Sequence, residues 1–264
     1  MKQVKTLERL DKILANSGFG SRKDVRHLIR SKVVSVNGQI VTDFDAHINV
    51  NEDQIAVNSV PLSIKENIYI MMNKAAGYVC STRGGMHPTV YDLLGEECQK
   101  KYLGGDVNTI GRLDLDTEGL LIFTSDGDLN HRLTSPKWNI PKTYFVRLAE
   151  RVSEKERSYY VSELAKGMHI PAEDKAEAAD CLPAECSWGT VLEDGSCNEA
   201  YLTVYEGKFH EVKRLFAALG NTVTYLKRVS INKLKLDESL APGEYKELTD
   251  EEIKLLDVQE DVQE

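Results

Sequence analysis

Between Thr109 and Pro136 the sequence TIGRLDLDTEGLLIFTSDGDLNHRLTSP sets Asp114, Asp116, Glu118, Asp126 and Asp128 among glycines and short polar stretches. It is the chain's densest cluster of polar groups in a turn-like setting. Carboxylates spaced this closely can bind Ca²⁺, divide acid and base work in a hydrolase, or form an ordinary solvated turn. Counted from Asp114, a Ca²⁺ loop would find its glycine at Gly119, but it needs a closing glutamate where Ser125 stands. A carboxylate pair for glycosidic chemistry stays open, because the separation that matters is spatial rather than sequential. There is no GxGxxG and no P-loop, so nothing argues for a dinucleotide or nucleoside triphosphate. Cys80, Cys98, Cys181, Cys186 and Cys197 form an odd set without a CxxC pair. That argues against a disulfide framework and against a structural zinc site.

The elements around this cluster read as short strands interrupted by a few helices. IYIMMN, GLLIFTS, KTYFVRLA, AYLTVYEG, TVTYLKRVSI and KLKL are strand-like. SEKERSYYVSELAKG opens with a capping box, Ser153 and Glu156. HEVKRLFAALGN places Val212, Leu215, Phe216 and Leu219 on one helical face before Gly220 ends it. The expected fold class is α+β around a mainly antiparallel mixed sheet. Ahead of it lies a small α/β module. Leu10, Ile13 and Leu14 repeat at helical spacing, then Val25, Leu28 and Ile29 do the same behind a Ser21 N-cap. Asn37-Gly38 between β-branched runs reads as a two-residue hairpin turn.

Charge separates the two ends of the chain. The net charge of −9 is matched by the last stretch alone, since Asp237 to Glu264 holds eleven acids and two lysines. Residues 1–40 hold nine basic and three acidic groups, a local +6, with Arg22, Lys23, Arg26 and Arg30 grouped on one helix. Such clustering suits a phosphate backbone, which rewards it through counterion release. No run approaches the length of a membrane span, and the N-terminus lacks the apolar stretch of a signal peptide. A cytoplasmic protein, a monomer without membrane contact, is the expectation.

RLDKILANSGFGSRKDVRHLIRSKVVSVNGQIV resembles the S4 RNA-binding domain, with Arg9, Ser21, Arg22, Arg26 and Asn37 at that family's characteristic places. Lys23 and Arg30 lie on the same basic surface. Gly111-Arg112-Leu113-Asp114 with Asp116-Thr117 and GLLIFTSDG resembles the central motif of pseudouridine synthases of the RsuA/RluB/RluE/RluF group. Lys142-Thr143-Tyr144 resembles the second motif and Glu206 to Phe216 the third. The resemblance covers nearly the whole chain to about Thr249. It implies an S4-like domain at 1–62 and a catalytic domain at 68–249, while Pro61 and the polar stretch 63–67 read as a linker, and Thr249 with Glu252 reads as a capping box that opens an acidic helix and tail at 250–264. It also implies that Asp114 is the catalytic aspartate, that Tyr144 packs on the target base, and that Lys213 or Arg214 is the cation beside Asp114. Arg112 and His210 are then expected to contact RNA.

That chemistry suits the residue types. Moving uracil from an N1 to a C5 glycosidic bond gives an isomer, so neither a cofactor nor a metal is expected. A carboxylate acting as nucleophile or base must be ionised, and a neighbouring cation favours that form. A tyrosine offers a flat face for a uracil flipped out of its stack. Tyr78 to Thr82, then His87-Pro88-Thr89-Val90, together with His210, resembles the small-subunit branch. The expected substrate is therefore 16S rRNA, or a ribosomal-subunit assembly intermediate, with 23S rRNA as the alternative. A non-catalytic S4-type ribosome-associated factor would not need Asp114 and Tyr144 in these contexts. A hydrolase of RNA glycosidic bonds would release free base. Changing Arg22 and Arg26 together to alanine should flatten the salt dependence of RNA binding by about one to two units of slope. Binding titrations across salt concentrations check this, and an unchanged slope would make the face ordinary solvated surface.

Overall fold

The computed structural model describes residues 7–50, 52–62, 67–82, 84–95, 107–173 and 176–257. Most of the linker expected at 63–67, the tail beyond Asp257, and Cys98 lie outside the described residues. Contacts divide the chain into two compact units. One comprises residues 1–69 with 94–108 and 123–126, and the other 70–93, 109–122 and 127–264.

The N-terminal unit begins with β1 (Leu7–Arg9), α1 (Leu10–Asn16) and α2 (Arg22–Arg30). Short strands follow: β2 (Val34–Val36), β3 (Gln39–Ile40), β4 (His47–Asn49), β5 (Ile55–Val57) and β6 (Val60–Pro61). β2, β3, β5 and β6 form one sheet in the order β3-β2-β5-β6, and β1 pairs separately with β4. Ser21 caps α2 in a complete capping box with Asp24. Asn37 and Gly38 both have positive φ, 51° and 79°, and Val36 pairs with Gln39. This is the two-residue turn whose backbone twist matches the flanking strands. Leu10, Ile13, Leu14, Val25, Ile29, Val34, Ile48, Ile55 and Val57 make the core.

Asp11 is an exception to the simple amphipathic reading of α1, for its side chain is fully buried. Arg9 reaches it with two hydrogen bonds of 3.0 and 2.8 Å, and Arg26 of α2 lies 3.3 Å away. Burial alone would raise its pKa, yet the two guanidinium groups outweigh that and hold the carboxyl below its usual range. Arg26 and Arg30 also lie over the Phe44 ring, 4.6 and 5.4 Å from its centre. The basic face is therefore anchored from beneath.

The second region contains β7 (Tyr69–Lys74), β8 (Asn108–Thr109), β9 (Glu118–Thr124), α3 (Gly127–Thr134), β10 (Lys142–Val152) and α4 (Glu154–Leu164). It continues with β11 (His169–Ile170), β12 (Ala179–Asp180), β13 (Glu185–Trp188), β14 (Cys197–Val204) and α5 (Glu211–Ala218). β15 (Val223–Ile231), β16 (Leu234–Lys235), β17 (Tyr245–Glu247) and α6 (Asp250–Lys254) complete it. A nine-stranded sheet runs β13-β14-β10-β15-β9-β7-β17, with β16 added to β15 and β8 to β9. β10 is antiparallel to both its neighbours, β13 to β14 and β17 to β7, whereas β9 and β15 run parallel. At that parallel junction a Cβ on Gly119 would lie 2.2 Å from the Arg228 carbonyl oxygen, and its φ is +102°. Only glycine permits this approach.

One face of β10, with Val146, Leu148 and Val152, packs on Tyr160 and Leu164 of α4 and on Val212, Leu215 and Phe216 of α5. Among the described residues no helix is long and apolar enough to cross a membrane. At the C-terminal end Thr249 and Glu252 form the expected capping box for α6. Leu256 is completely buried, while Leu255 beside it is 39% exposed. Leu256→Ala should therefore lower stability by about 2–5 kcal/mol. Leu255→Ala should stay within about 0.5 kcal/mol of the parent in denaturant unfolding.

Candidate active site

The loop between β8 and β9 carries Arg112, Leu113 and Asp114, and it is tied down from beneath. Lys74, at the end of β7, is completely buried. Its ammonium donates to the carbonyl oxygens of Thr117 at 2.7 Å, Asp114 at 3.0 Å and Ala75 at 3.1 Å, with a longer contact of 3.5 Å to Leu115. Burial pushes the Lys74 pKa down, and the carboxylates of Asp114, Asp116 and Glu118 partly restore it. Further bonds hold the same loop, from Gly77 N to Leu115 O at 2.7 Å and from Ile110 N to Ile122 O at 2.7 Å. Lys74 escaped the sequence reading. Its signal is a lysine closing the largely apolar strand run IYIMMNK.

Asp114 projects toward the N-terminal turn of α5. Lys213 Nζ lies 3.3 Å from Asp114 Oδ2 and 2.6 Å from Asp116 Oδ1. Burial works against the Asp116 anion, but the Lys213 ammonium prevails and holds that carboxyl below its ordinary value. His210 Nε2 is 3.8 Å from Asp114 Oδ1, and its Nδ1 is 3.5 Å from Glu173. Arg214, the other cation expected as a partner of Asp114, is not brought to it. One residue on along a helix is a turn of about 100°. The Arg214 guanidinium is thereby buried, bonded to the carbonyls of Pro171 (2.6 and 3.2 Å), Glu177 (2.7 Å) and Phe209 (3.1 Å).

Asp114, Arg112, Lys142, Tyr144, Phe209, His210 and Arg228 line one cleft of about 570 Å³. Tyr144 and Lys142 are two residues apart on β10, so their side chains leave the same face of the sheet. Arg228 stands opposite Tyr144 on β15. It is 1% exposed and donates from Nε to Leu120 O at 2.8 Å. Its Nη2 has no hydrogen-bond partner among the described residues. Burial, with the Arg228 charge added, pushes the Lys142 ammonium down to about 8. The cleft therefore combines an anionic group paired to a lysine, an aromatic ring and a positive floor.

The remaining residues expected at the RNA surface lie in the N-terminal unit. Arg22, Lys23 and Arg30 are exposed on α2. Arg9 and Arg26 are drawn to Asp11, and Arg9 also contacts Asp45. Ser21 serves as the cap of α2. Asn37 braces its turn, donating to Asp53 at 2.7 Å and accepting from Gln54 N at 2.9 Å. Elsewhere Cys181, Glu206 and Glu211 bring ligand atoms within 4.8 Å of one another. The Lys208 ammonium already sits on Glu206, so this group is neutralised internally.

A family model described as RNA pseudouridylate synthase matches residues 68–218, and one described as S4 domain matches residues 8–52. The chain belongs to the RNA pseudouridylate synthase family and carries an S4 domain in front of the synthase domain. It is an RNA pseudouridine synthase, an intramolecular isomerase. An uncharacterized RNA pseudouridine synthase of Bacillus subtilis is 41% identical over 94% of this chain and 98% of its own length. The ribosomal small subunit pseudouridine synthase A of Haemophilus influenzae is 40% identical, covering 94% of this chain and 99% of that protein. The Escherichia coli K12 protein of the same name is 38% identical over 93% and 98%. A solved pseudouridylate synthase is 38% identical, with a TM-score of 0.60 over 94% of this chain and 99% of that one.

The depressed Lys142 value sets a pH test. Below about pH 8 its ammonium is charged, and an RNA seated in the cleft would lose that attraction as pH rises through about 8. Lys142→Arg keeps its charge past about pH 12. RNA affinity of the parent should therefore fall between about pH 7 and about pH 9.5 relative to the arginine variant. Parallel curves would show that Lys142 does not face the RNA.

Proposed function

We propose that the chain converts one uridine of small-subunit 16S rRNA to pseudouridine, with Asp114 as the reacting carboxylate and no cofactor. The observation that carries this reading is the Lys213 ammonium 3.3 Å from Asp114 in the cleft that also holds Tyr144. The relatives named for the ribosomal small subunit, aligned along nearly their whole length, support the substrate. In this scheme Asp114 attacks the nucleotide or removes a ribose proton, and either role requires the anion that Lys213 stabilises. The N1–C1′ bond breaks, C5 joins C1′, the C5 proton leaves and N1 gains one. Atoms and electrons balance without a redox partner.

Tyr144 supplies a flat face for the detached uracil, which must remain in the cleft while it turns. Lys142 and Arg228 make that floor attractive to the nucleotide's anionic and carbonyl oxygens. Arg112 and His210 line the entrance, where the flipped strand passes. Residues 1–62 grip the RNA mainly through backbone and shape, and 68–249 perform the chemistry. The protein works as a monomer in the cytoplasm, on rRNA or on a subunit assembly intermediate.

The test incubates the protein with 16S and with 23S rRNA and maps pseudouridine by carbodiimide-dependent reverse-transcription stops. A stop in 16S alone is expected, and one confined to 23S would overturn the substrate. Asp114→Asn should lose about 10³-fold or more of the turnover while retaining RNA binding, since the amide keeps the shape without the charge. Free uracil among the products would instead reveal a hydrolase.

A further inference from the structure

Phe209 has no part in the chemistry just described, yet it is held with unusual care at the rim of the cleft. It is 47% exposed, and its ring stacks on His210 with centroids 3.8 Å apart and planes 22° from parallel. A lone exposed aromatic is ordinary on a protein surface. Here three independent features coincide at one. The His210 backbone lies in the left-handed region, φ 49°, a conformation that a non-glycine residue keeps only when its surroundings enforce it. The enforcement is visible on both sides of the turn. Glu211 accepts from Lys208 N at 3.0 Å, and the 4%-exposed Arg214 donates to Phe209 O at 3.1 Å. The same guanidinium binds Pro171 and Glu177, so the segment carrying Glu173 is locked to the turn carrying Phe209. His210 then lies between the Glu173 and Asp114 carboxylates, with Phe209 against its face.

Resting on the reading that a uridine of RNA enters this cleft, we propose that Phe209 and His210 form a stacking platform for an unpaired nucleobase next to the target uridine. Extruding one base from a strand strips its neighbour of a stacking partner. A ring already fixed in place can replace that partner with little loss of side-chain freedom. Base–aromatic stacking is strong and tolerant of base identity. The imidazole beneath the ring is the one that approaches Asp114, so a neighbour seated here brings the adjoining nucleotide beside the reacting carboxylate. Arg214 serves as the positioning residue of this platform.

The experiment uses the full chain and an rRNA fragment spanning the modified uridine, with 2-aminopurine placed on either side of it in turn. Parent protein should quench the probe at one flanking position. Phe209→Leu keeps an apolar side chain without the π face. It should abolish that quench and raise KM about tenfold with kcat little changed. Phe209→Tyr should recover most of both, and melting temperatures confirm that the variants fold. A leucine variant with the parent's quench and KM overturns the platform. So does equal impairment of leucine and tyrosine variants, which would mark the ring as local packing. Absence of pseudouridine in the parent reaction overturns the proposed reaction and the platform with it, whereas pseudouridine with an unaffected leucine variant removes the platform alone.

Discussion

The arrangement of the cleft depends on one buried ammonium. A lysine withdrawn from water is costly unless its three donors are satisfied, and Lys74 bonds the Asp114 and Thr117 carbonyls of the acidic loop together with its own neighbour Ala75. Each carbonyl left buried without a partner would cost about 1–3 kcal/mol, so the loop and the lysine are stable only together. The Asp114 carboxylate thereby sits on a loop whose backbone is held by several hydrogen bonds. Function is exposed on a turn, but its backbone is tied to the floor of the sheet.

Two neighbouring cations on α5 illustrate how a helix divides labour. Lys213 faces the acidic loop and pairs with two carboxylates, whereas Arg214 turns inward and binds backbone oxygens. Charge at the first serves the site, and fork geometry at the second serves the scaffold. An ammonium and a guanidinium are not interchangeable in these roles. A planar group with several donors can collect carbonyls from three segments, while a point charge can sit between two anions.

A similar economy governs the N-terminal unit. A field of arginines repels itself, and the buried Asp11 relieves this from below by pairing with the partly exposed Arg9 and Arg26. Phe44 offers its ring face to Arg26 and Arg30. The basic surface is thereby preorganised, and fewer rotamers would be lost on meeting phosphate.

The sequence determined what depends on local pattern. Periodicity and caps placed α1, α2, α4, α5 and α6, Asn37-Gly38 announced its turn, and motif order disclosed the family because three distant stretches had to agree. Asp114 and Tyr144 could be named on that basis as the residues to look for. Tertiary structure alone decided which of Lys213 and Arg214 reaches Asp114. Adjacent helical residues differ by a rotation whose consequence depends on what packs against each side. It alone revealed that Lys74 is buried, since a lysine at a strand end is usually solvated and its partners in the Asp114 loop lie about forty residues away. The same holds for Asp11, whose one-dimensional pattern is that of a solvent-facing acid, and for the stacked pair at Phe209 and His210. Long-range contacts set the energy of a polar side chain, and those contacts exist only once the chain has folded.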